Sequence, residues 1–153
     1  IALAHAVGTC AITALELSWN TLQTARGNVL AHYLDDRIHL IQSDWTSGLR
    51  GPFDLIISNP PYVPTDAVAT LPQEVQREPR QGLDGGPDGM GFHRALFRDA
   101  PRLLARGGAV CVECAEPQAP ALESFVRTQP WVSRVWIFDD LAGRPRGLCV
   151  ERI

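Results

Sequence analysis

Short apolar runs alternate along this chain with longer stretches of helical periodicity. The short runs are bounded by polar residues, glycine or proline, and they predict buried β-strands. Strands that alternate with helices favour an α/β fold with a doubly wound, mostly parallel sheet. The last strand follows its predecessor closely and is expected to pair with it antiparallel. The predicted strands are residues 10–15, 37–41, 54–58, 109–114, 131–138 and 147–152.

Helices are predicted between these strands, where apolar positions recur three and four residues apart. Ser18 is placed to cap the helix that follows it. The pair Gly107-Gly108 is expected to end the helix before it, because glycine is common just after a helix. The stretches with helical spacing are residues 1–6, the dozen residues after Ser18, 92–105 and 117–128.

The strand predicted at residues 54–58 stops abruptly at Asn59-Pro60-Pro61-Tyr62. Proline has a fixed φ and no backbone N–H, so strand pairing cannot continue through this segment. Asn59 is therefore expected at the carboxyl end of a strand, the edge of an open α/β sheet where ligands bind. The Asn59 amide oxygen and the Pro60 carbonyl are two acceptors that could hold a planar amide or amine, with Tyr62 as an aromatic wall. The alternative interpretation is a proline-stiffened turn after a core strand.

Acidic residues follow two other predicted strands. Glu16 follows residues 10–15, and a carboxylate there can accept both hydroxyl hydrogens of a ribose. Asp44 and Trp45 follow residues 37–41; the carboxylate can accept from an adenine amino group, and the indole can cover an adenine face. Taken singly, each acid is more often a helix cap or a solvated loop residue. The nucleotide interpretation depends on three strand ends at one sheet edge that all carry such groups.

Residues 71–91 are polar and rich in proline and glycine. A segment of this length without periodicity is usually functional or disordered when it lies inside a compact domain. Its glycines suit turns that need a positive φ. We therefore expect an ordered loop folded over the site.

Composition narrows the class of partner. The 153 residues carry a net charge of −3, with no electrostatic footprint for nucleic acid. No apolar run approaches the length of a membrane span.

Cys111 and Cys114 would face opposite sides of their strand, and the four histidines are scattered, so we expect no metal site. All four cysteines are expected to be reduced core residues of a cytoplasmic protein.

Taken together, these segments resemble the release-factor glutamine methyltransferases over nearly the whole chain. The resemblance is carried by an acidic residue after a strand, an Asp-Trp pair, Asn-Pro-Pro-Tyr, Glu-Pro-Arg, Leu-Asp-Gly-Gly-x-Asp-Gly and a late Asp-x-Ala-Gly-x-x-Arg. In this chain the matches are Glu16, Asp44-Trp45, and residues 59–62, 78–80, 83–89 and 140–146. Adenine methyltransferases that act on nucleic acid share Asn-Pro-Pro-Tyr but lack the segments that match residues 78–89.

The resemblance implies a Rossmann-like class I methyltransferase fold with S-adenosylmethionine as co-substrate and no metal. It implies cofactor contacts from Glu16, Asp44, Trp45 and Asn59. The catalytic motif would be Asn59, Pro60, Pro61 and Tyr62. The substrate would be the glutamine of the Gly-Gly-Gln motif in peptide chain release factors. It would be bound by the same four residues together with Glu78 and Arg80.

The chain departs from the family pattern at its beginning. Those enzymes carry a glycine-rich loop after a first strand, and residues 1–4 resemble the helix that follows this loop. We therefore expect residues 1–153 to be part of a methyltransferase catalytic domain, without the first strand, the glycine-rich loop and the N-terminal helical domain. Two alternatives stay open. One is an adenine-N6 or other nucleic-acid amino methyltransferase, and the other is an inactive truncated remnant.

Overall fold

Two parallel strands form the sheet of the first unit, Ile1–Leu49, in the computed structural model, which describes residues 1–153. The register places Glu16 opposite Gln42, so both strands end at the same edge. The elements of this unit are α1 (Ala2–Ala6), β1 (Ile12–Glu16), α2 (Trp19–Ala31) and β2 (Ile38–Gln42).

Helix α2 begins as the sequence predicts. The Ser18 hydroxyl accepts a hydrogen bond from the Thr21 N–H at 3.3 Å and so satisfies one free donor of the first turn. The buried core of this unit consists of Ala4, Val29, Leu34 and Ile38, with Ile12, Ala14 and Leu40 packed against it.

The second unit, Arg50–Ile153, is built on a four-stranded sheet in the order β3-β4-β6-β5. β3 and β4 are parallel, and β6 is antiparallel to both β4 and β5. The strands are β3 (Phe53–Ser58), β4 (Leu104–Glu113), β5 (Val132–Asp139) and β6 (Pro145–Arg152), and the helices are α3 (Gln73–Gln76), α4 (Gly91–Leu103) and α5 (Ala119–Arg127). The predicted fold class, an α/β protein with parallel strands and an antiparallel last strand, is confirmed.

The core of the second unit lies between its helices and the sheet. Phe97 of α4 is fully buried, stacks on Trp131 at 6.2 Å and meets Phe125 of α5 edge-on at 6.4 Å. His93, one turn earlier on α4, is also fully buried. None of the helices in the chain combines the length and the apolar character that a bilayer crossing would require.

One predicted helix end is wrong. Helix α4 ends at Leu103, and β4 begins at the next residue, so Gly107-Gly108 lies within the strand. The reason is tertiary, because Leu104 pairs with Phe53 of β3. Pairing with β3 thus places residues 104–108 in a strand, although their local sequence favours the end of a helix.

The prediction that all four cysteines are reduced is wrong for two of them. Cys111 and Cys149 are direct partners in the antiparallel pair of β4 and β6 and form a disulfide. Their separation of 38 residues gives no local sign of this pairing. Cys10 and Cys114 are free, and Cys114 is buried.

β3 lies at the end of the second sheet and pairs only with β4. Its Leu55 and Ile57 side chains are 43% and 60% exposed. The segment that follows Ser58 therefore continues from an edge strand of this unit.

Candidate active site around Asn59

The Asn-Pro-Pro-Tyr segment starts where β3 ends. β3 stops at Ser58, and Asn59 follows it with an exposed side chain. Pro60 is buried, and Tyr62 is half-buried. Ser58 pairs with Val112 in the parallel sheet, so the carboxyl end of β4, with Glu113, lies at the same edge. Asn59 thus occupies the strand end that the sequence predicts.

The segment at residues 71–91, which we call the 71–91 loop, is ordered and pairs with the residues after Tyr62. The Val63 N–H donates to the Leu83 carbonyl at 2.9 Å, and the Gly85 N–H donates to the Val63 carbonyl at 2.8 Å. The Thr65 N–H donates to the carbonyl of Gly86 at 3.0 Å. These three hydrogen bonds hold the 71–91 loop against the residues that directly follow Asn59–Tyr62, which we call the proline segment.

Two glycines allow this close approach. A Cβ at Gly85 would lie 2.8 Å from the Pro61 carbonyl oxygen and 2.8 Å from the Tyr62 Cα. Gly89 has φ +72°, and a Cβ there would collide with the Tyr62 carbonyl and the Gln118 amide. Only glycine fits at both positions, so the loop sequence is matched to the backbone of residues 61–62.

Asp84 connects the loop to the Glu-Pro-Arg segment. Its Oδ1 accepts from the Thr65 hydroxyl at 2.7 Å and from the Gly86 N–H at 3.0 Å. Its Oδ2 accepts from Arg80 Nε at 3.1 Å and Nη2 at 3.0 Å. The Thr65 hydrogen bond is the largest cause that lowers the pKa of this carboxyl. Arg80 therefore braces the loop, while Glu78 is exposed.

Tyr62 is held at both ends. Its hydroxyl donates to Glu113 Oε1 at 3.1 Å and accepts from Arg146 Nη2 at 3.1 Å. Arg146 also forms an ion pair with Glu113 at 2.8 Å and lies 5.7 Å from the centre of the Tyr62 ring. At the main chain, the Gln118 side-chain amide donates to the Tyr62 carbonyl at 2.9 Å. We call Tyr62, Glu113, Gln118 and Arg146 the tyrosine clamp.

Burial shifts the pKa values of Tyr62 and of the neighbouring His93. It raises the pKa of the Tyr62 phenol above its ordinary value of 10.0; Arg146 opposes this shift, and Glu113 adds to it. Burial also lowers the pKa of His93, which favours a neutral ring. The His93 Nε2 lies 2.8 Å from the Glu113 carbonyl oxygen, which can only accept, so Nε2 carries the hydrogen. Helix α4 is thereby tied to the strand end that carries Glu113.

The other predicted cofactor residues lie in the first unit. The Glu16 Oε1 accepts from the Ser18 N–H at 2.7 Å. The Ser43 N–H donates to the Glu16 carbonyl at 3.1 Å, so the ends of β1 and β2 lie side by side. Asp44 is exposed, and Trp45 has a positive φ of 55°. A carboxylate, a second acid and an indole at one strand edge fit an adenosine group.

Sequence reasoning missed Glu113 and Gln118, and it matched Arg146 to the family without giving it a role. A signal for Glu113 was present, because it is a charged residue at the end of an apolar run, as Glu16 is. For Gln118 no such pattern exists. It is a side chain near a helix start whose partner is 56 residues away.

Comparisons with known proteins identify the family and the fold. The family model described as the methyltransferase small domain matches residues 1–86. A crystal structure of a methyltransferase from Pyrococcus furiosus superposes with a TM-score of 0.66 at 21% identity, covering 98% of this chain and 66% of that one. This likeness confirms the methyltransferase fold.

Curated relatives extend the resemblance. The chain is 39% identical over 154 residues to the release factor glutamine methyltransferase of Bradyrhizobium diazoefficiens, which covers 100% of this chain and 52% of the relative. It is 38% identical over 113 residues to the ribosomal protein uL3 glutamine methyltransferase of Neisseria gonorrhoeae, which covers 74% of this chain and 38% of the relative. The chain thus spans about half the length of the relatives it matches. By the match of the family model to more than half of its residues, the chain belongs to the methyltransferase small domain family.

Proposed function

We propose that this chain carries the catalytic part of a protein-glutamine N5-methyltransferase. Its substrate would be the glutamine of the Gly-Gly-Gln motif in peptide chain release factors. The observation that carries the proposal is an exposed Asn59 at the end of β3, in a segment whose continuation is hydrogen-bonded to the 71–91 loop. The names of the relatives support glutamine as the acceptor.

Asn59 and Pro60 would hold the acceptor nitrogen. A neutral amide nitrogen is a poor nucleophile, because its lone pair is conjugated with the carbonyl. Two fixed oxygens, the Asn59 Oδ1 and the Pro60 carbonyl, would accept its two hydrogens and stabilise the positive charge that develops on nitrogen. Most of the rate enhancement would come from orientation, which can contribute roughly 7–11 kcal/mol.

S-adenosylmethionine, when bound, supplies a methyl group on a sulfonium. The Glu16 carboxylate would accept from the ribose hydroxyls, as acidic residues at this position do in dinucleotide folds. Asp44 would accept from the adenine amino group, and Trp45 would cover one face of the base. Glu78 and Arg80 would contribute to the surface that contacts the protein substrate. Arg80 would do so while it keeps its hydrogen bond to Asp84.

The uL3 enzyme among the relatives favours a second acceptor, a glutamine of a ribosomal protein. The same two oxygens would serve either glutamine, since both side chains present the same amide. The choice would then be made by surfaces away from the nitrogen, and parallel assays with both proteins separate the two substrates.

The role of Asn59 is tested by Asn59→Ala. With labelled S-adenosylmethionine and a release-factor domain, we expect methyl transfer to fall by at least about 100-fold, in the range lost with one donor to a charged transition state. Calorimetry should show that much of the cofactor affinity remains. Asn20→Ala, which changes another exposed asparagine, is the matched control and should keep activity. Undiminished glutamine methylation by Asn59→Ala would refute the assignment.

A further inference from the structure

We infer that Glu113, Gln118 and Arg146 are positioning residues for this reaction, which act through Tyr62 on the two acceptors at Asn59 and Pro60. This inference rests on the proposed function. It assigns a role to a strand end, a helix start and the last residue of the late Asp-x-Ala-Gly-x-x-Arg segment.

The clamp holds the Tyr62 hydroxyl from two sides. The Tyr62 hydroxyl donates to Glu113 and accepts from Arg146, and these two side chains also pair with each other at 2.8 Å. Glu113 and Arg146 are only 27% and 42% exposed, so the ion pair is partly shielded from water and from salt. A ring held in this way is a fixed wall of the site rather than a mobile cover.

Only a short segment of chain connects Tyr62 to the two acceptors at Asn59 and Pro60. Between the end of β3 and Tyr62 the chain has three residues, and two of them are prolines with fixed φ. Few backbone torsions remain free in this segment. The direction of the Pro60 carbonyl therefore depends on where Tyr62 is anchored.

Gln118 holds the main chain of Tyr62. Gln118 donates to the Tyr62 carbonyl at 2.9 Å and to the Asp88 carbonyl at 3.3 Å, while its Oε1 accepts from the Ala115 N–H at 3.0 Å. One side chain thus joins the proline segment, the 71–91 loop and the turn after β4. The clamp fixes both the side chain and the backbone of the residue that ends the motif.

Steady-state kinetics of Tyr62→Phe and Glu113→Gln test the inference. We expect kcat to fall on the order of 10- to 100-fold, the scale that misplaced reacting groups cost, while KM for S-adenosylmethionine is unchanged. The double variant should be no slower than Tyr62→Phe, because Glu113 acts on Tyr62 through the hydroxyl that Tyr62→Phe removes. Matched controls are Tyr33→Phe, whose ring is 88% exposed, and Glu123→Gln, which breaks the ion pair with Arg127 on α5.

Amide hydrogen exchange supplies a readout that does not depend on activity. In Tyr62→Phe and Glu113→Gln, the N–H groups of Val63 and Gly85 should exchange faster than in the wild type, and in the controls they should not change. If the wild-type chain methylates no glutamine, the proposed function fails, and exchange alone then decides whether the clamp fixes the loop. Unchanged exchange, or an unchanged kcat with active enzyme, would overturn the inference.

Discussion

At the scale of single residues, the Tyr62 phenol has neighbours of opposite charge. Glu113 raises its pKa, and Arg146 lowers it. Glu113→Gln should therefore move the Tyr62 pKa down, and Arg146→Ala should move it up. Ultraviolet titration of the phenolate can measure both shifts, since the chain has only two tyrosines and Tyr33→Phe leaves Tyr62 as the sole signal. Shifts in the same direction for both variants would contradict the geometry of the clamp.

The same phenol links stability to pH. Its pKa is above 10.0 in the folded chain, so folding favours the neutral form. The contribution is fully present below pH 10 and is lost as the pH rises through the folded pKa. Urea unfolding of the wild type and Tyr62→Phe should therefore show a stability difference that changes only above about pH 10. A difference that grew toward acid pH would point to another group.

Asn59 could be found from sequence, whereas most of its supports could not. An apolar run followed by two prolines is a local pattern, and it places Asn59 at a strand end without knowledge of the rest of the fold. The partners of Tyr62 are 51, 56 and 84 residues away, and only strand pairing brings them to it. The Cys111–Cys149 disulfide was missed for the same reason.

At the scale of elements, the close packing of the 71–91 loop on the proline segment limits the side chains that the loop can carry. Gly89→Ala places a methyl group against the Tyr62 carbonyl and Gln118, and it also strains φ at +72°. Gly107→Ala at φ +74°, with open space around it, is the matched control for backbone strain. We expect the control to lose about 1–2 kcal/mol and Gly89→Ala to lose about 1–3 kcal/mol more from overpacking.

Chemical unfolding measures both variants. Equal losses would mean that the loop can move away from residues 61–62, which would weaken the case that it shapes the site. The order of the strands and of every helix except α3 could be predicted, since it follows from periodicity. The start of β4 at Leu104 could not, because it depends on pairing with β3.

At the scale of the whole molecule, two units carry the two halves of the proposed chemistry. The first holds the candidate adenosine contacts Glu16, Asp44 and Trp45, and the second holds Asn59 and its supports. The family match covers the first unit and the start of the second, through residue 86. The order of these strand-end groups along the chain could be predicted from the sequence alone.

Peptide mass spectrometry identifies the residue of the substrate that receives the methyl group. The chain is incubated with S-adenosylmethionine and a release-factor domain, and the modified residue is located by fragmentation. We expect one added methyl group on the glutamine of Gly-Gly-Gln, and at least about 100-fold less of this product in the reaction with Asn59→Ala. An unmodified glutamine, in a domain that an authentic release-factor methyltransferase does modify, would contradict it.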